Sequence, residues 1–222
     1  MSLSELAREL GVAPSSCFEL VNTLRSSGYL YDVGGRRRTY PTRRMLENVL
    51  AITEHDPHVS RILPVIDRLR DQTRETIILG RRQGDAIIYL SVSEGPQTVR
   101  YTSEVGALKP LHSSAIGKAM LSSLVPDERK TLIGQLNLER MTPATLIDPE
   151  PLLADIEAGL ARGFQVTRGE NVADVMGIAM PLKVGSDLFG ICIAGPLYRM
   201  AVEFLQHVPR LKTAIAELEA AF

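Results

Sequence analysis

The chain of 222 residues is long enough for one large or two small domains, and its composition is that of a globular protein. Hydrophobic residues make up 45% and charged residues 23%, which excludes a collagen-like or largely disordered chain. The longest apolar run, at about residues 188–197, is far shorter than the roughly 20 residues of a membrane-spanning helix. The first residues lack the apolar core of a signal peptide, and there are only two cysteines, so the sequence predicts a cytoplasmic protein.

The net charge of -1 hides an uneven distribution along the chain. Residues 1–44 hold seven arginines and four acidic residues and carry +3, whereas the remainder carries -4. Five of the seven arginines lie within residues 36–44. The N-terminal segment is therefore expected to form its own domain and to bind an anionic partner.

Two short helices are predicted at the start of the chain. Ser2 and Glu5 have the spacing at which a helix N-terminus is capped reciprocally, and Gly11 is a natural helix end. Ser16 and Glu19 repeat the capping spacing. The apolar positions that follow helical periodicity are Leu3, Leu6, Ala7 and Leu10, and then Cys17, Leu20, Val21 and Leu24. Two helices joined by a glycine-containing turn are typical of a helix-turn-helix.

A hairpin is predicted after the second helix. Residues 29–33 and 36–40 read as strands that flank Gly34 and Gly35, and Pro41 ends the second strand. The three arginines at 36–38 would lie at the tip of this hairpin, in the position of a wing.

The rest of the chain predicts an α+β domain with a mostly antiparallel sheet flanked by helices. A connecting helix is expected at residues 43–54. Further helices are expected at residues 59–69, 113–124, 126–136, 149–161 and 201–221. Strands are expected at residues 76–80, 86–92, 98–102, 164–167, 177–184 and 188–194.

Several motifs in chain order resemble the IclR family of bacterial transcriptional regulators. They are Leu3–Gly11, Ser15 with Ser16, Leu24 and Gly28–Leu30, followed by Leu111–Leu121, Gly163–Asn171 and Ile193–Pro196. The resemblance implies a winged helix-turn-helix DNA-binding domain at residues 1–42, a linker helix at 43–56 and a GAF-like effector-binding domain at 57–222. Family members usually carry one further helix before the segment at Leu3, so the first helix of the DNA-binding domain is apparently missing here.

The residues expected to contact DNA come from the second helix and the hairpin tip. They are Ser15, Ser16, Phe18, Asn22 and Arg25 on the helix and Arg36, Arg37 and Arg38 on the wing. A helix N-terminus with hydroxyls suits a phosphate, asparagine and arginine suit base edges, and a basic tip suits the DNA backbone. The alternative for the helix residues is an ordinary solvated face, and the alternative for the three arginines is a charge run that only improves solubility. Glu19 stands where the family commonly has an arginine in the recognition helix. The base or phosphate contact of that arginine is therefore not expected here.

The segment 112–118 fits neither a nucleotide-binding loop nor a hydrolase elbow, because the glycine and hydroxyl spacing of both is lacking. It predicts instead a helix start that attracts a carboxylate. The resemblance implies that this region lines an effector pocket. The expected pocket residues are Tyr101, His112, Ser113, Ala115, Ile116, Thr167, Gly177, Cys192 and Ala194. The alternative for each residue is helix capping or core packing, and residues 170–171 could order a loop beside the pocket.

The sequence also indicates what the pocket would bind. Strand alternation places Cys192 and Ala194 on one face of their strand. Where relatives that bind small organic acids offer polar groups, this chain has cysteine, alanine and glycine, which favours a roomier pocket for an aromatic or hydrophobic acid.

The prediction is therefore a transcriptional regulator whose binding to double-stranded operator DNA is modulated by a small organic acid. Dimerisation, as a homodimer or a dimer of dimers, would place two recognition helices one DNA turn apart. No catalytic residues, metal site or cofactor are predicted, because paired carboxylates are not apparent and the four histidines are scattered. The alternative is a stand-alone ligand-binding module or enzyme with a vestigial DNA-binding head.

Overall fold

The computed structural model describes residues 2–34, 38–55 and 58–222, and gives only the backbone for residues 52–55. The chain divides into two compact units, Met1–Pro57 and His58–Phe222. No helix in these described parts is long and apolar enough to cross a bilayer.

The first unit has the predicted winged helix-turn-helix order of elements. Helices α1 (Leu3–Leu10) and α2 (Pro14–Ser26) are followed by strands β1 (Leu30–Val33) and β2 (Arg38–Pro41) and by helix α3 (Arg44–His55). The two strands form an antiparallel hairpin in which the first residue of β1 pairs with the last residue of β2. The proline predicted to end the second strand is thus its last residue.

Helix α1 begins as predicted, but α2 does not. Ser2 Oγ accepts a hydrogen bond from the Glu5 N–H, and Glu5 Oε2 accepts one from the Ser2 N–H at 2.7 Å. Helix α2 begins at Pro14 with Ala13 at its N-cap, so the predicted cap at Ser16 is wrong. Proline at the first helical position sacrifices no hydrogen bond and has a helical φ, so the helix starts three residues earlier than a cap at Ser16 would place it.

The predicted apolar stripe of α2 is only half buried. Cys17 and Val21 pack with Ala7 in a small core. Leu20 and Leu24 are 55% and 38% exposed and line an open apolar groove. The stripe was expected to face the core along its whole length, and it does so at two of its four positions.

The second unit is built on one six-stranded sheet. Its elements are α4 (Val59–Thr73), β3 (Thr76–Gln83), β4 (Ala86–Ser93), β5 (Leu108–Pro110), α5 (Ala115–Ser122), α6 (Pro126–Gln135), α7 (Pro149–Arg162), β6 (Gln165–Arg168), β7 (Val175–Val184), β8 (Asp187–Pro196) and α8 (Leu197–Ala221). The strand order is β5-β4-β3-β8-β7-β6, and every neighbouring pair is antiparallel. The predicted α+β class with an antiparallel sheet flanked by helices is confirmed.

The third strand of the unit lies later than predicted. Residues 98–102 are not a strand, and β5 at Leu108–Pro110 pairs with β4 instead. Residues 98–102 are held by side-chain hydrogen bonds rather than by pairing with a neighbouring strand. Thr76 Oγ1 donates to the Tyr101 carbonyl at 2.5 Å, and Arg199 Nη2 donates to the Val99 carbonyl at 3.0 Å. These contacts satisfy backbone acceptors that strand pairing would otherwise use.

The sheet separates two apolar layers. On one face Ile191 and Ile193 of β8 belong to the core under α4 and α8. On the other face Cys192 and Ala194 belong to the core under α5 and α7. This is the alternation predicted for β8, and it places the small residues of the strand against the start of α5.

Candidate nucleic-acid interface and ligand cavity

The N-terminal turn of α2 presents polar groups to solvent. Ser15 and Ser16 are exposed in this turn, and Phe18 is 52% exposed beside them. The N-cap residue is Ala13, which has no side-chain oxygen to bond the free N–H groups of the first turn. Backbone donors and two hydroxyls therefore lie together at the positive end of a helix, an arrangement that suits a phosphate group.

Arg25 is engaged within the first unit. Its Nη2 lies 2.7 Å from Asp32 Oδ1 on β1, and its Nη1 donates to Asn22 Oδ1 at 3.1 Å. The pairing occupies the two α2 residues that were predicted to read bases. A contact from either to DNA would have to compete with these hydrogen bonds.

Part of the predicted wing can be placed. Arg38 is exposed on β2, opposite Val33. Arg36 and Arg37, which were predicted at the tip, lie outside the described residues.

A cavity lies between the sheet of the second unit and the start of α5. It is lined by Ile78, Tyr89, Tyr101, Ser114, Ala115, Ile116, Thr167, Asn171, Val172, Val175, Gly177, Cys192 and Ala194. Seven of the nine residues predicted to line an effector pocket are among these thirteen. None of the thirteen, all of which the structure describes, has a charged side chain.

Strand register explains why these residues meet. Thr167 pairs with Gly177, and Gly177 pairs with Ala194, so the three lie in one row across β6, β7 and β8. Cys192 pairs with Ile78 in the next row on the same face. Because paired residues in antiparallel strands point to the same face, the small side chains form one concave floor.

The floor is tight at Gly177. A Cβ atom built there would lie 3.0 Å from Ala115 Cβ, 3.1 Å from Thr167 Oγ1 and 3.2 Å from Cys192 Sγ. Any side chain larger than hydrogen at this position therefore takes space from the cavity.

The cavity is narrow in this conformation. Its empty space is about 400 Å³ with the open mouth included, but only about 30 Å³ admits the centre of a water molecule. One buried water needs about 10–15 Å³ on that measure. The enclosed part thus holds about two waters, and a larger ligand requires a wall to move.

His112 and Ser113 do not line the cavity, contrary to the prediction. His112 is buried, and its Nε2 donates to the Glu139 carbonyl at 2.9 Å. Burial lowers the pKa of this histidine, with the carbonyl contact opposing the shift. Ser113 Oγ accepts a hydrogen bond from Asn171 Nδ2 at 3.0 Å. Helix α5 begins at Ala115, so both residues precede the helical turn that faces the cavity.

The polar groups of the cavity are neutral. Burial raises the pKa of the Cys192 thiol to about 12, so the thiol is protonated at physiological pH. Burial also raises the pKa of the Tyr89 hydroxyl. Ser114 Oγ caps α5 by accepting from the Gly117 N–H at 3.1 Å. Hydroxyls, a thiol, an amide and the helix start are the groups available to a ligand.

Six lining residues were not predicted. Val175 stands two residues before Gly177, so strand alternation could have found it. Ser114 lies between two predicted positions. Asn171 was expected to order a loop beside the pocket rather than to line it, and Val172 follows it in that loop. Ile78 and Tyr89 come from β3 and β4, and only the pairing of distant strands brings them to this face.

The described residues contain no group of three or more histidine, cysteine, aspartate or glutamate side chains that could hold a metal ion.

Two family models match the chain. One describes the C-terminal domain of the bacterial transcriptional regulator IclR and matches residues 51–218. The other describes the IclR helix-turn-helix domain and matches residues 1–34. Together they span nearly the whole sequence in the order of the two units.

Curated relatives are named as transcriptional regulators. The chain is 32% identical over 203 residues to the HTH-type transcriptional regulator BhcR of Paracoccus denitrificans, covering 90% of this chain and 73% of the relative. It is 30% identical over 202 residues to the HTH-type transcriptional repressor AllR of Escherichia coli, covering 90% and 74%. Both relatives are transcriptional regulators by name, which is the predicted class.

A solved structure shows the same fold. It is an IclR homologue from Microbacterium hydrocarbonoxydans in complex with 4-hydroxybenzoate, 23% identical to this chain with a TM-score of 0.79. The match covers 99% of this chain and 90% of the homologue.

Proposed function

The chain belongs to the IclR family of bacterial transcriptional regulators, and from that premise we propose that it binds operator DNA under the control of a small aromatic carboxylic acid. The first unit would bind the DNA, and the cavity of the second unit would bind the acid. The protein would act in the cytoplasm as a homodimer or a dimer of dimers.

One observation carries this proposal. A single chain joins a winged helix-turn-helix to a second unit whose cavity is lined entirely by uncharged residues. An enzyme with a vestigial head, the alternative considered from the sequence, has no support from BhcR or AllR, both of which are regulators by name.

The DNA contacts are proposed from the exposed turn of α2 and from β2. Ser15 and Ser16 would bind a backbone phosphate through their hydroxyls and the free N–H groups of the turn. Phe18 would contact a thymine methyl or a sugar in the groove. Arg38, with Arg36 and Arg37, would bind phosphates on either side of the wing. Asn22 and Arg25 would reach bases after releasing their present partners.

The effector class is proposed from the cavity lining. Tyr89, Tyr101 and Ile78 offer apolar surface for a ring, and Thr167 offers a hydroxyl. A carboxylate would lie at the start of α5, where the first backbone N–H groups have no intrahelical partner. The binding of 4-hydroxybenzoate by a homologue of the same fold supports this class of ligand and supplies a probe.

Control of DNA binding is proposed as a shift between dimer geometries. A ligand changes operator affinity only if it binds the two geometries unequally. A coupling of about 1–3 kcal/mol would change operator affinity by about 5-fold to 150-fold. Helix α3 would connect the two units.

The DNA half of the proposal is tested by fluorescence anisotropy with a labelled fragment of the intergenic DNA next to the gene. We expect the logarithm of the binding constant to fall steeply with the logarithm of salt concentration. Changing Arg36, Arg37 and Arg38 together to alanine is expected to make that slope shallower by up to about three phosphate contacts. Changing Lys109, Lys130 and Lys183 of the second unit to alanine is the matched control. Absence of binding even at low salt would contradict the proposal.

A further inference from the structure

One wall of the cavity has no regular secondary structure. The loop Gly169–Asp174 connects β6 to β7 and contributes Asn171 and Val172 to the lining. Val172 is 41% exposed, so this wall also borders solvent. Among the other lining residues, Tyr101 lies in the irregular segment between β4 and β5, where the Thr76 hydroxyl binds its carbonyl, and Ser114 is the N-cap of α5. The rest belong to strands and to α5. If the cavity enlarges for a ligand, we expect this loop to move, because its Val172 is exposed whereas Tyr101 of the other irregular segment is half-buried.

The loop is held at its base by a buried lysine. Lys118 of α5 has no solvent-exposed surface and is among the largest fully buried side chains. Its Nζ donates to Asp155 Oδ2 of α7 at 2.7 Å and to the carboxylate of Glu170 in the loop. A buried ammonium group is strongly unfavourable without partners, and Lys118 has two carboxylates, one on α7 and one in the loop.

The two partners of Lys118 lie on different kinds of segment. Asp155 lies on a helix and is about one third exposed, whereas Glu170 lies on the loop and has only 12% of its side chain exposed. Outward movement of the loop would separate Glu170 from Lys118 and leave the ammonium with one partner. The ion pair therefore opposes opening of the loop, while the contact to Asp155 does not.

Neutral contacts supplement this ion pair. Thr142 Oγ1 donates to the Gly169 carbonyl at 2.6 Å, and Thr145 Oγ1 donates to the Glu170 carbonyl at 2.7 Å. Asn171 Nδ2 donates to Ser113 Oγ next to α5. These hydrogen bonds are between uncharged groups, which are roughly half as strong as charge-assisted ones. The largest single contribution to holding the loop thus comes from Lys118 and Glu170.

We propose that the loop Gly169–Asp174 is the gate of the cavity and that the Lys118–Glu170 ion pair is its latch. Lys118 is a positioning residue in this scheme, since it does not line the cavity and acts on the ligand site through Glu170. The strength of the latch sets how often the cavity opens. The inference rests on the proposed function only in taking the cavity to be the ligand site, and the opening itself can be measured without a ligand.

Cys192 provides the measurement, because it lies on the cavity floor and is one of only two cysteines. In a Cys17→Ala background it is the single thiol. Its rate of alkylation by iodoacetamide, followed by intact mass at fixed pH, then reports opening of the cavity. We expect Glu170→Gln to raise this rate at least about tenfold, which corresponds to a change of about 1.4 kcal/mol in the opening equilibrium.

Asp155→Asn is the matched control. It also removes one carboxylate from Lys118, but from the partner that does not lie on the loop, so we expect a change of less than about threefold (about 0.65 kcal/mol). If both variants raise the alkylation rate equally, or if Glu170→Gln does not raise it, the Lys118–Glu170 ion pair is not the latch.

Opening must also be separated from unfolding. In the Cys17→Ala protein the alkylation rate is expected to be nearly independent of urea at low concentration, because a local opening exposes little surface. If the alkylation rate instead rises with urea concentration as steeply as global unfolding does, the thiol reacts only in the unfolded chain and the proposed gate is wrong. This test does not depend on Glu170→Gln, which could prove too unstable to purify. If the gate behaves as expected but 4-hydroxybenzoate neither binds nor slows alkylation, the proposed ligand class fails and the gate stands.

Discussion

Replacement of Gly177 by valine should close the cavity from its floor. The added Cβ would lie 3.0 Å from Ala115 Cβ, closer than the optimum of about 3.5–4.0 Å between carbon atoms, and it would also lie 3.1 Å from Thr167 Oγ1. Two further methyl carbons would enter a space in which only about 30 Å³ admits a water centre. Overpacking of this kind typically costs about 1–3 kcal/mol.

The expected phenotype has two parts. In a unit of this size the melting temperature should fall by about 2–4 °C for each kcal/mol of overpacking. The affinity for 4-hydroxybenzoate should fall at least about a hundredfold, or about 2.7 kcal/mol, because the ligand and the new side chain require the same volume. The assay is thermal unfolding with and without the ligand, followed by titration calorimetry.

Gly134→Ala is the matched control for this variant. Gly134 lies in α6, and a Cβ there would meet no atom within 4 Å. Alanine is expected to raise stability by about 0.5–1 kcal/mol, as is usual within a helix, and to leave ligand binding unchanged. If Gly177→Val is folded and binds 4-hydroxybenzoate as tightly as the original chain, the cavity is not the ligand site.

Two other predictions concern charge. Ser15→Asp places a carboxylate at the N-terminus of α2, which should stabilise the helix by about 0.3–1 kcal/mol yet weaken DNA binding by repelling phosphate; unchanged anisotropy with DNA would refute the role of this turn. Burial lowers the pKa of the His207 imidazole in the folded chain, so the folded state binds fewer protons than the unfolded state below about pH 6.5. The free energy of unfolding should therefore fall as pH falls from that value toward the folded pKa, by at most about 1.4 kcal/mol per pH unit. Urea unfolding of His207→Leu should show a correspondingly flatter dependence of this free energy on pH.

Periodic and capping patterns predicted most of the fold because they act locally. The Ser2–Glu5 cap and the alternation of β8 need only neighbouring residues, and both are present in the structure. The start of α2 was misplaced because two signals competed, a serine with a glutamate three residues later and a proline at the first helical position. The third strand was misplaced because side chains of Thr76 and Arg199 hold its carbonyls, and neither residue is near it in sequence.

The cavity was predictable only in part for the same reason. Thr167, Gly177 and Ala194 came from the family resemblance, and strand pairing places them in one row. His112 was assigned to the cavity because it precedes a helix start. Helix α5 begins only at Ala115, so His112 lies before the helical turn that faces the cavity. Such positions are fixed by tertiary packing rather than by the motif.

In the proposed function, one chain couples a ligand bound by the second unit to DNA bound by the first. The most direct test is to measure operator affinity by anisotropy across a titration of 4-hydroxybenzoate, in the original chain and in Gly177→Val. We expect the ligand to change operator affinity at least about fivefold in the original chain and to have no effect in the variant, whose DNA binding without ligand should be unchanged. An equal ligand response in both proteins, or DNA binding that is indifferent to every aromatic carboxylate tried, would contradict the account.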